Sequence, residues 1–133
     1  PEGTIVSTKD KNGEGETYTS DEEHKLEIPL SVLTNGNSAS ASEIFAGAVQ
    51  DYGVGTLVGT TTFGKGIVQQ IFPLTDGTSI KLTISEYFTP KGRNIHGTGI
   101  DPDVEVEYEY NEEDPAADNQ LEKAIEIVKG NGM

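Results

Sequence analysis

Three alternate serines, Ser38, Ser40 and Ser42, lie in the run Asn35-Gly-Asn-Ser-Ala-Ser-Ala-Ser-Glu43, between an apolar stretch and a segment of helical period. A hydroxyl at such a strand-to-helix turn can act as a nucleophile. The free N–H groups and dipole of the first helical turn stabilise the oxyanion formed when an acyl carbon is attacked. Small Ala39 and Ala41 leave room for a peptide to approach. The same residues also have a structural reading, because Ser40-x-x-Glu43 is a capping box and serine is favoured at helix starts.

Lys65 is the side chain that could activate such a hydroxyl. It sits between Gly64 and Gly66, with Phe63 as the one bulky neighbour. A lysine works as a general base only where burial or positive neighbours lower its pKa from about 10.4, leaving the amine neutral near pH 7. Flanking glycines let the backbone carry the amine into a pocket, and Phe63 can keep it dry; otherwise a loop lysine is merely solvated.

Other chemistries fit less well. Gly59-Thr-Thr-Thr-Phe-Gly64-Lys65 has both glycines and the lysine of a phosphate-binding loop, but Gly66 stands where a magnesium-holding Ser or Thr is needed. The residues that follow read as a hairpin, not the helix that such a loop requires. A Ser-His-Asp arrangement would need His24 or His96, and neither has a distinguishing context. Two distant histidines and scattered acids show no metal-ligand spacing, so no metal is expected. The absence of cysteine excludes disulfides and thiol chemistry.

The bulk composition agrees with a loop-rich single unit. Its 133 residues suffice for one domain, with 33% apolar residues, 16 glycines and 6 prolines. A formal charge of −14 argues against nucleic acid as a partner. Asp101 to Asp118 holds nine acids and no Lys or Arg, the pattern of a solvated face or connecting loop. Presented as an acidic sheet edge, it would also suit a non-catalytic protein-binding or assembly module. The chain starts at Pro1 without a leader, so a piece of a longer protein is expected.

The elements that must position these residues are legible in outline. Thr4 to Thr8 and Glu16 to Thr19 flank Asn12-Gly13 as a hairpin, and Ile28 to Thr34 reads as a strand buried on both faces of a parallel sheet. A helix follows, with Ile44, Phe45, Ala48, Val49 and Tyr52 on one face and Gly53 as its stop. Leu57 to Gly59 is a second strand, and strand-helix-strand order predicts a parallel α/β arrangement. Ile67 to Phe72 and Ser79 to Tyr87 form a hairpin around Asp76-Gly77. Val104 to Tyr110 alternates as an edge strand, and a last helix is capped by Asp114, striped by Leu121, Ile125 and Val128, and ended by Gly130.

Taken together, several segments resemble the C-terminal processing (tail-specific) proteases, the Ser-Lys peptidases of bacteria and plastids. They are Pro29-Leu-Ser-Val-Leu, Ser38-Ala-Ser-Ala-Ser-Glu43-Ile, Thr62-Phe-Gly-Lys-Gly66, Val68-Gln69, Thr89-Pro-x-Gly-Arg93 and Gly97-x-Gly99-Ile-x-Pro-Asp103. The resemblance implies an α/β, crotonase/ClpP-like catalytic core in which Ile28 to Thr34 is the central strand before the nucleophile helix. It makes Ser40 the nucleophile and Lys65, 25 residues on, the base.

For the third member it leaves two positions, Gln69 and Glu43. Gln69 is preferred as the residue that orients the lysine, because an ionised Glu43 beside the amine would favour its charged form. The Ala41 N–H is the implied oxyanion donor. The family's second donor, a glycine on an upstream segment, and its PDZ domain have no counterpart here, so residues 1–133 are expected to be part of a catalytic domain and inactive alone. Expected substrates are protein or peptide C-termini, without cofactor, in an extracytoplasmic setting.

Overall fold

The computed structural model describes residues 2–130, which fold as seven strands and two helices in two sheets. Strands β1 (Gly3–Lys9) and β2 (Thr17–Ser20) form the first hairpin, and β5 (Ile67–Pro73) and β6 (Ser79–Phe88) form the second. They join in one antiparallel sheet of order β2-β1-β6-β5. Strands β3 (Ser31–Thr34), β4 (Thr56–Gly59) and β7 (Val104–Glu105) form a parallel sheet of order β3-β4-β7. Helix α1 (Ala41–Tyr52) connects β3 to β4, and α2 (Asn119–Gly130) closes the described chain.

The mixed α/β architecture is the expected one, but the central strand is β4. Leu57 and Val58 are both 0% exposed, so β4 is buried on its two faces. By contrast, among the described residues β3 pairs with β4 alone and runs for only four residues, and Leu33 within it and Ile28 before it are exposed. The predicted strand Ile28 to Thr34 is therefore shortened to Ser31–Thr34, at the edge of the sheet that the described residues form. Its first apolar residues serve instead as a lead-in, with the Leu30 carbonyl accepting the Thr56 N–H.

Helix α1 packs with a different face from the one its periodicity predicts. Ala46, Gly47 and Val49 are buried with Glu43, whereas Phe45 and Tyr52 face outward. Small residues allow the close approach: a Cβ on Gly47 would lie 2.9 Å from Thr89 Cγ2 and 3.2 Å from Ile100 Cδ1. The resulting core gathers Ala46, Val49, Leu57, Ile95 and Ile100, with Leu30, Val32 and Tyr87 packed against it. Ser31 and Leu33, of opposite parity to Val32 along the strand, line a groove against Leu121, Ala124, Ile125 and Val128 of α2.

Two further boundaries move. The expected strand from Val104 to Tyr110 ends at Glu105, because the carbonyls of Val106 and Glu107 are taken by the Gln120 and Asn119 side chains. The last helix starts at Asn119, where Asp118 accepts the Leu121 N–H at 2.9 Å, while Asp114 closes a separate turn on Ala116. The described part of this helix runs to Gly130, the last described residue. Among the described residues no helix is long and apolar enough to cross a membrane.

Candidate active site

The chain enters α1 through a bend that the local sequence makes sharp. Asn35 Oδ1 accepts the Asn37 N–H and the Asn35 carbonyl accepts the Ser38 N–H, while Ser38 Oγ accepts the Asn35 N–H. That turn uses the Ser38 hydroxyl structurally. Two residues later Ser40 sits at the helix N-cap with φ 56° and ψ −113°, the one non-glycine residue with positive φ among those described. Such a conformation costs about 1–3 kcal/mol and persists only where surrounding contacts impose it. It aims one of the three serines differently from the other two.

The contact that imposes it is Glu43. This residue is 0% exposed, and both of its oxygens are filled with donors. Oε2 accepts the N–H groups of Ser40 at 3.0 Å and Lys65 at 2.8 Å, and Oε1 accepts Thr62 Oγ1 at 2.5 Å and the Gly64 N–H at 2.7 Å. A buried carboxylate so satisfied ties the helix mouth to the loop bearing Lys65. The Phe63 N–H adds a bond to the Ser38 carbonyl at 2.9 Å.

On its other side this loop leans on residues 95–100. Thr62 Oγ1 accepts the Ile100 N–H at 2.8 Å, so its own proton is free for Glu43, and the Gly97 N–H donates to the Gly64 carbonyl. A Cβ on Gly64 would lie 2.9 Å from the Gly99 nitrogen, and one on Gly66 would lie 2.6 Å from the His96 nitrogen. Both glycines are thus required by close backbone approach, and Gly64 also by its φ of 86°. Asp103 braces the same region, accepting the Leu57 N–H and the Gln50 amide.

The Thr89 to Arg93 turn is clamped to the end of α1 by Asp51. Its carboxylate accepts the Lys91 N–H at 2.8 Å and pairs with Arg93 Nη2 at 2.5 Å. Burial pushes the Asp51 carboxyl up. Hydrogen bonds from Thr89, Lys91 and Arg93, with the Arg93 charge, outweigh burial and hold it below its ordinary value.

The predicted site residues are brought together unevenly. Ser40 and Lys65 share Glu43 through their main chains, yet the Ser40 hydroxyl lies 3.3 Å from the Tyr87 hydroxyl. Among the described residues the Lys65 Nζ makes no hydrogen bond or ion pair, so Glu43 does not neutralise it. Gln69 is exposed and donates its amide to Thr83 across the β5–β6 hairpin at 3.3 Å. The N–H groups of Ser42, Glu43 and Ile44 bond within the turn, whereas that of Ala41 has no acceptor among the described residues.

Phe63 is 65% exposed, and Lys65 beside it is half-buried. The phosphate-loop reading also loses ground: the N–H groups of Gly64 and Lys65, which would cradle a phosphate, are already on Glu43, and a strand follows. No group of three or more His, Asp or Glu suited to a metal occurs among the described residues. Tyr87 is the residue that sequence reasoning missed. Nothing in its spacing ties it to Ser40, 47 positions earlier. With Val6, Ile44, Val68 and Ile84, and with Asp10, Glu14 and Glu16, it lines an open cavity of about 820 Å³.

The mixed α/β unit thus holds a serine on a strained strand-to-helix bend, with one buried carboxylate tying that bend to a glycine-flanked lysine loop. The chain belongs to peptidase family S41, whose sequence model matches residues 1–106.

It is 44% identical to a carboxyl-terminal-processing protease of Synechocystis, over 98% of this chain and 31% of that protein. It is 45% identical to the carboxy-terminal processing protease CtpB of Bacillus subtilis, over 76% of this chain and 21% of that protein. A solved photosystem II D1 C-terminal processing protease superposes with a TM-score of 0.74 at 34% identity, over 96% of this chain and 32% of that one. The chain thus spans about a third or less of each of these three proteins.

Proposed function

We propose that the protein carrying this chain is a serine endopeptidase that cleaves polypeptides near their C-termini, with Ser40 as nucleophile and Lys65 as general base. The observation that carries the reading is the shared hold of Glu43 on the Ser40 bend and the Lys65 loop. Lys65 Nζ takes the Ser40 proton as Oγ bonds to the scissile carbonyl carbon, and the oxyanion is met by the Ala41 N–H. The lysine then gives its proton to the leaving amine. Water, activated by the same amine, releases the acyl group and restores Ser40.

Glu43 acts here as a positioning residue. Since its oxygens take main-chain and Thr62 donors, it does not compete for the amine. Gln69 orients the lysine by turning its side-chain carbonyl to Nζ. We include an extracytoplasmic setting in the reading, in keeping with the family.

A fluorophosphonate probe on the full-length protein tests the scheme. Labelling at Ser40 is expected, with loss of labelling and turnover in Lys65→Ala while circular dichroism is unchanged. Turnover that survives Lys65→Ala would refute the base assignment. A folded protein that never labels would point to a non-catalytic binding or assembly role instead.

A further inference from the structure

We infer that Tyr87 is a further residue of the active site, whose hydroxyl donates to Ser40 Oγ and leaves the serine proton directed to the base; this rests on the Ser-Lys reading above. Three observations converge on it. Its hydroxyl lies 3.3 Å from Ser40 Oγ, its N–H donates to the carbonyl of Gly66 at 2.9 Å, and its ring packs on the core beneath α1. One residue therefore spans from the residue after Lys65 to the nucleophile, fixed at both ends.

Of the two hydroxyls the phenol is the stronger acid, so it is the donor and Ser40 Oγ the acceptor. A serine oxygen that accepts from Tyr87 keeps its own O–H for a second partner, and the rotamer that meets both Tyr87 and the lysine is selected over the alternatives. As the proton leaves for Lys65 Nζ, negative charge builds on Oγ and the Tyr87 bond strengthens. No proton passes from Tyr87 at any step. The strained backbone of Ser40 and the hydroxyl contact act on the same side chain from opposite ends.

The test uses the full-length protein and Tyr87→Phe, which keeps the ring and its packing and removes only the oxygen. The kcat is expected to fall roughly ten- to a hundredfold, the range for losing a hydrogen bond to a group that becomes charged, with KM within twofold. The rate of fluorophosphonate labelling should fall by a similar factor. Unchanged kcat, or a change confined to KM, overturns the inference.

Fluorotyrosine placed at position 87 is the second variant should phenylalanine perturb folding. It alters phenol acidity with little change of shape, so the pH profile of turnover shifts if the hydroxyl acts on Oγ and stays put if Tyr87 merely packs. Failure of the underlying reading is separately visible: turnover would persist in Ser40→Ala or Lys65→Ala, whatever Tyr87→Phe does.

Discussion

The main-chain N–H groups of Ser40 and Lys65 donate to one atom, Glu43 Oε2, at 3.0 and 2.8 Å. Glu43→Gln therefore removes more than a charge. An NH2 in place of Oε2 meets two N–H donors, and one in place of Oε1 meets the Gly64 N–H while the Thr62 hydroxyl turns to accept, and each unsatisfied buried group costs about 1–3 kcal/mol. A loss of about 2–4 kcal/mol in stability is expected by denaturant titration, with loss of Ser40 labelling at temperatures where the variant is still folded. A change below about 0.5 kcal/mol would show that this carboxylate is not the tie between bend and loop.

Relief of backbone strain at Ser40 gives a second expectation. Ser40→Gly removes the side chain that makes φ 56° costly, and the gain exceeds the added entropy of glycine in the unfolded chain. Thermal or chemical denaturation should show a protein more stable by about 1 kcal/mol and catalytically dead. Ser40→Ala, equally dead, keeps the strain and should show no such gain. Equal stability of the two variants would mean that the bend holds no strain.

Asp51 sets an acid-side dependence of stability. Its folded carboxyl titrates below its ordinary value of 3.8, so its stabilisation is complete above that pH and is lost as pH falls through the depressed folded value. Asp51→Asn should cost about 1–2 kcal/mol at pH 7, with the exposed Arg93 head contributing little of it, and this cost should shrink as pH falls below about 4. Stability curves of the two proteins that stay parallel from pH 7 to pH 2 would contradict the assignment.

Gly66→Ala probes the loop independently of Glu43. The added Cβ would lie 2.6 Å from the His96 nitrogen and 2.8 Å from Ile95 Cγ1, neither of which is the end of a flexible side chain. Overpacking of this kind costs about 1–3 kcal/mol. Because the displaced residue adjoins Lys65, slower labelling should accompany the lower denaturation midpoint. A variant with wild-type stability and labelling would show that the loop adjusts freely.

Local rules served well where the information was local. Gly53 ends its helix, and both hairpins fall where Asn12-Gly13 and Asp76-Gly77 place them. They failed where the partner element decides. The α1 stripe points elsewhere because Gly47 lets Thr89 and Ile100 approach the side that carries Glu43, and periodicity counts a buried glutamate as polar and outward. The strand at residue 28 shortens because edge or centre depends on neighbours, which an apolar run does not name.

What the amino-acid sequence determined by itself was chemical type and order: a serine among small residues before a helix, a lysine between two glycines, and the turn residues that allow both. The tertiary structure alone decided that Glu43 is a buried tie and not merely a cap, and that Tyr87 meets Ser40. The reason is range. Capping and turns act over a few residues, whereas these bonds join groups 19 and 47 positions apart and exist only after two sheets and a helix have packed.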